Sequence, residues 1–191
     1  MKTQIIALAF ALMFIAVGCT QEQAENPYKK EFEQVEANNE IATRFFTSAW
    51  NDGDFSVVDE LIPADALDYS MVPGKSPEQG PESFKSIIGM FRAAMPDIKL
   101  TILDDFGQGD KIVHRWVLKG THSGEPLMGV PASGKEISFS GTTIVRVEDG
   151  KIMERWSNLD IYGILIQLGL VPPPGGGEEK GRDLRSHGDR P

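Results

Sequence analysis

The stretch GKIMERWSNLDIYGILIQLG, Gly150 to Gly169, changes its rhythm half-way. From Ile152 to Asn158 it reads as a strand. From Ile161 to Leu168 its apolar residues fall at helical spacing, and Gly169 suits the end of a helix. Asp160 stands at the joint, four residues after Trp156. An aspartate there can cap the helix and favour its dipole. It can equally face an apolar cavity, where burial disfavours the charged form and fits the group for proton transfer. One residue can do both, and the sequence leaves the two readings open.

Working outward, Asp149-Gly150 is a hairpin signal, and Ile137 to Glu148 is rich in Thr, Val and Ile. Lys111 to His122 is a long strand, and Ile98 to Phe106 alternates; GQGD turns between them. Upstream the period is helical. Val35, Ala42, Phe45, Phe46 and Ala49 make one stripe, stopped by NDGD. Asp54 can cap a short helix carrying Val57, Val58, Leu61 and Ile62. A third helix follows Gly80-Pro81 and ends at Pro96. Residues 66 to 72, ALDYSMV, read as a short strand. The expected class is α+β: a curved, mainly antiparallel four-stranded sheet, with one further short strand, wrapped around three N-terminal helices.

The ends differ from the middle. Ile5 to Val17 are thirteen apolar residues behind Lys2, too few to span a bilayer as a free helix. They read as an export signal. Ala16-Val17-Gly18-Cys19 resembles the lipobox of bacterial lipoproteins. That resemblance implies a signal over 1–18, lipidation of Cys19 (the single cysteine), and, with Thr20 behind it, the periplasmic side of an outer membrane. Residues 19–30 are expected as a polar tether, 31–171 as the domain, and 172–191, opening PPPGGG, as a disordered tail in which His187 has no role. The 191 residues suit one domain. A net charge of −9 without a basic stripe makes nucleic acid a poor partner. Three scattered histidines and one cysteine give no zinc pattern, and no phosphate-binding glycine loop is present. No cofactor is expected.

Four passages, taken together, resemble the SnoaL-like polyketide cyclases, the ester cyclase branch of the nuclear-transport-factor-two-like or ketosteroid-isomerase-like folds. They are GPESFKSIIGMFRAAMPD, HRWVLKGTHSGEPLMGVPASGK, VRVEDGKIMERW and LDIYGILIQLG. The resemblance implies a cone with a central pocket for a small apolar molecule, cofactor-free acid/base chemistry of cyclase, isomerase or hydrolase type, and a possible homodimer. A non-catalytic binding lipoprotein of the envelope is the alternative.

By the same resemblance Asp160 matches the family's acid/base aspartate. Arg115 matches its arginine before tryptophan, where it holds a substrate or pairs with an acid in the sheet. His122, in GTHSG, borders the mouth or ties a loop. From the residues themselves, Trp50, Trp116 and Trp156 are candidates for the pocket wall or the core. Asn158 shares strand parity with Trp156 and Asp160, unless a bulge intervenes. His114 and Arg115 must point to opposite faces, so only one faces the pocket. Ile137, Phe139, Gly141, Thr143 and Val145 form the more apolar, inward side of their strand. Tyr69 offers a hydroxyl in DYSMVP, where the family often carries a histidine. That departure, with an exported address, weakens polyketide ring closure as the specific reaction.

Overall fold

A computed structural model describes residues 26–69 and 76–175. The expected α+β class holds. Helix α1 (Pro27–Phe46) runs into a π-helical turn (Thr47–Asp52), followed by α2 (Ser56–Leu61), β1 (Leu67–Asp68), β2 (Glu78–Gln79) and α3 (Pro81–Ala94). Then come β3 (Lys99–Gln108), β4 (Lys111–Thr121), β5 (Glu136–Glu148), β6 (Lys151–Leu159) and α4 (Ile161–Gln167). The sheet has six strands in the order β2-β1-β6-β5-β4-β3, all pairs antiparallel except β1 with β6. Two short strands thus extend the four that alternation foretold. Cys19 and His187 lie outside the described residues. Helix α1 begins at Pro27, inside the stretch expected as tether.

Local chemistry sets the corners. Asp149 and Gly150 both take positive φ, 49° and 74°, as a tight hairpin turn demands. Gly53, at φ 69°, ends the π-helical turn. That turn is pinned from two sides. Asn51 bonds both backbone groups of Leu100 on β3, at 3.1 and 2.7 Å. Arg92 of α3 donates to the carbonyls of Trp50 and Asn51, which a helix end would otherwise leave open. Trp50 is thereby held against the core.

The core lies between the helices and the concave sheet face. Phe45, Phe84, Phe91, Ile88, Leu118 and Ile152 are fully buried in it. Each such side chain contributes about 1.5–3 kcal/mol relative to exposure. On β4 the even positions Ile112, His114, Trp116 and Leu118 point inward. On β5 the inward set is Ile137, Phe139, Thr143 and Val145, with half-buried Gly141 between, as the apolar pattern indicated. The face of β6 departs from the expected parity. Val147 pairs with Ile152 and Arg146 with Glu154, so Met153 is an extra residue with no partner opposite it. Beyond this bulge the faces exchange: Arg155, Ser157 and Leu159 turn inward, and Trp156 and Asn158 outward.

Candidate functional site

A hollow opens where α1, the π-helical turn and α3 face the sheet. Its wall is aromatic, from Phe46, Trp50, Phe91 and Trp116, with Ile87 and Leu159 beside them. Three polar side chains interrupt it: Thr143, Arg155 and Ser157. The space is narrow. About 20 Å³ admits the centre of a water-sized sphere, room for about one water. A larger guest must move part of the wall.

The polar groups are connected. Trp116 Nε1–H donates to Thr143 Oγ1 at 3.0 Å, and Thr143 Oγ1 lies 3.0 Å from Ser157 Oγ. Next to Ser157 on the strand, two positions earlier, is Arg155. Its Nε donates to Asp68 Oδ1 at 3.0 Å, and its Nη2 to Oδ2. Both partners are almost fully buried, the side chains 3% and 1% exposed. The guanidinium also lies 4.3 Å above the Phe84 ring, a cation–π contact that replaces some of the lost hydration. Trp50 Nε1 is buried on this wall without a hydrogen-bond partner. An unpaired buried donor costs about 1–3 kcal/mol, so an acceptor brought to it is favoured.

Comparison with known proteins agrees with this architecture. The family model of SnoaL-like polyketide cyclases matches residues 40–168. The chain belongs to that family. Among curated members, it is 31% identical over 123 residues to the nogalonic acid methyl ester cyclase of Streptomyces nogalater, covering 64% of this chain and 90% of that one. It is 28% identical over 127 residues to an aklanonic acid methyl ester cyclase of Streptomyces peucetius, 66% and 87% covered. Among solved structures, TsrD from Streptomyces laurentii superposes with a TM-score of 0.62 at 28% identity, covering 71% of this chain and 97% of that one. A SnoaL-like polyketide cyclase from Agrobacterium tumefaciens gives 0.56 at 20% identity, covering 69% and 98%, a likeness of fold alone.

Within this SnoaL-like domain the candidates from sequence separate into two groups. Trp50, Trp116 and Thr143 stand on the wall. Asp160 does not. Its carboxylate is exposed and accepts from Gly163 N–H at 2.8 Å, capping α4. Leu159, one residue earlier, is the last of β6 to reach the hollow. The expectation that Asp160 faces the pocket is corrected, because the strand ends there and the chain turns into the helix.

Trp156 and Asn158 also lie on the outer side, displaced by the bulge. Trp156 stacks on Tyr69 with ring centres 5.2 Å apart and planes 11° apart. Lys111 Nζ sits 5.7 Å from the Trp156 ring centre. Tyr69 is therefore an outer-face residue as well, its hydroxyl 3.4 Å from Glu154. Arg115 is exposed and bonds Asp104 across the β3–β4 ladder, Nε to Oδ2 at 2.6 Å, so it pairs with an acid in the sheet.

Two histidines are buried on the inner side, neither on the wall of the hollow. His122 is buried, its Nδ1 3.3 Å from Ser133 Oγ, and its backbone bonds Lys135 and Gly134. It ties down the loop after β4. His114 is buried against Phe46, with ring centres 5.1 Å apart. The Asn39 amide donates to Asp105 at 2.9 Å, so the Asn39 carbonyl oxygen accepts His114 Nε2–H at 2.9 Å. Nδ1 is left bare in the interior. Burial pushes the His114 pKa down, against a weaker opposing pull from Asp105.

Sequence reasoning missed Arg155, Asp68 and Ser157. Glu-Arg-Trp offered an arginine in plain view, but without the bulge its parity read outward. Asp68 and Arg155 are 87 residues apart, so nothing in the local spacing signals that they will meet inside.

Proposed function

We propose that this domain is an exported, membrane-anchored SnoaL-like module that takes a compact, mostly apolar carbonyl compound into the hollow. The guest's oxygen accepts from the Ser157 hydroxyl and the Trp50 indole N–H, while the rings of Phe46, Phe91 and Trp116 cover its apolar body. The supporting observation is the bonded series Trp116–Thr143–Ser157 on an otherwise aromatic wall. Trp116 occupies one lone pair of Thr143. Thr143 can then give its own proton to Ser157, which frees the Ser157 proton for a guest. Such a wall, with few placed polar groups, is the usual form of a small-molecule site.

Cyclase-type turnover is a second reading, favoured by the names of the curated relatives. It needs a base beside the carbon next to the carbonyl. Asp160 could serve only a guest that extends past Leu159 to the rim. The capping geometry of Asp160 favours retention over turnover.

The test uses an isosteric pair, acetophenone and α-methylstyrene, which differ by the acceptor oxygen. The reading expects acetophenone to raise the thermal midpoint at concentrations where α-methylstyrene does not. Equal shifts, or none, contradict it.

A further inference from the structure

The start of α1, from Tyr28, buries nothing. From Tyr28 to Gln34 every residue is exposed, and only from Val35 does the helix meet the sheet, where its side chain approaches Gly107. Helix ends without tertiary packing gain little stability by themselves. Yet this end carries two aromatic rings, Tyr28 at 78% and Phe32 at 61% exposure. They are four residues apart and share one side of the helix. Lys30, Glu31 and Gln34 overlook the β3–β4 turn at Gly109 and Asp110 across a shallow surface depression. Two residues along a helix turn the side chain by about 200°, so Tyr28 and Phe32 point away from Lys30. They continue the side of α1 that carries Val35 and Asn39, and they are exposed because the start of the helix has no sheet opposite it.

We propose that this side of α1 rests in the headgroup region of the membrane to which Cys19 is attached. The inference rests on the reading of Cys19 as the acylated N-terminus. From Cys19 to Pro27 there are eight residue steps, and at about 3.5 Å each the span cannot exceed about 28 Å. The start of α1 therefore stays within about 28 Å of the bilayer surface. The helix is aligned for such contact: a tyrosine and a phenylalanine on one side, with Lys29 beside them to meet phosphates. Aromatic rings with one polar edge favour this zone. Lys29 and Lys30 are offset by Glu31 and Glu33, and Lys29 lies 3.7 Å from Glu33. The contact is thus aromatic rather than electrostatic and does not need anionic lipid. A second copy of this chain is the competing occupant.

The experiment uses the full chain with its leader, purified from membranes as the Phe32→Trp variant. Mass spectrometry of the N-terminal peptide first establishes an acyl group on Cys19. The protein is then reconstituted into phosphatidylcholine vesicles with or without brominated acyl chains. Bromine should quench the fluorescence added at position 32 by about half, while a Lys30→Trp control, on the opposite side of the helix, changes little. An acylated chain whose added fluorescence is unaffected overturns the membrane contact alone. Chemical cross-linking from position 32 to a second copy, without quenching, overturns it in favour of self-association. An unmodified Cys19 overturns both the anchor and the contact built on it.

Discussion

Two aspartates flank the functional half of the sheet, and they have opposite fates. Asp68 on β1 is buried and holds Arg155 with both oxygens. Asp160, one residue past β6, is exposed and holds a backbone N–H of α4. The chemistry of the side chain is the same; the position of the strand end decides the rest. Inside the sheet a carboxylate must bring a cation with it, because an isolated buried charge is too costly. At a strand-to-helix corner it meets the unpaired N–H groups of a helix start and stays wet.

The largest expected effect is on the buried side. Arg155→Ala leaves the Asp68 charge without its partner and should destabilise the fold by about 3–5 kcal/mol in denaturant unfolding. The double variant Asp68→Asn, Arg155→Met should recover much of that loss. If the single variant costs no more than a surface ion pair, the buried pair is not as described. Thr143→Val removes the acceptor for the Trp116 indole and the neighbour of Ser157. It should cost about 1–3 kcal/mol and change the near-ultraviolet signal of the tryptophans.

His114 sharpens the comparison through pH. Its folded pKa lies below its ordinary value of 6.5, chiefly through burial. The unfolded chain then binds the proton more readily, and stability present above pH 6.5 is lost as the pH falls below it. Asp54, Glu60 and Asp97 have lowered carboxylate values and act only in stronger acid. Between pH 6.5 and their range the slope should therefore approach about 1.4 kcal/mol per pH unit at most, and His114→Gln should flatten it. A slope unchanged by the variant contradicts this assignment. On the exposed side, Asp160→Ala should cost about 1 kcal/mol and Asp160→Asn almost nothing, because asparagine caps nearly as well.

The fold was largely legible in the residues. Alternation marked four strands, Asp149-Gly150 their hairpin, Gly53 the end of the first helical run, and Gly80-Pro81 the start of α3. The short strand read over residues 66 to 72 is present as β1, only two residues long, whereas β2 was not legible, since so short a run has no period to read. Thr143 on an inward face was also legible from the apolar side of β5. The inward face of β6 was hidden by one residue. Met153 adds a position that no pattern in KIMERW announces, and it exchanges Trp156 and Asn158 for Arg155 and Ser157. The bond between Asp68 and Arg155 joins residues 87 apart in the chain, and contacts so distant leave no trace in local spacing.

The central claim is that the guest is held at Ser157 and not at Asp160. The direct measurement is the affinity for acetophenone, read by quenching of the tryptophan fluorescence, in the wild-type chain, Ser157→Ala and Asp160→Asn. The account predicts that Ser157→Ala weakens binding by about five- to tenfold, while Asp160→Asn binds as the wild type does. Loss of binding in Asp160→Asn with Ser157→Ala unaffected would contradict it.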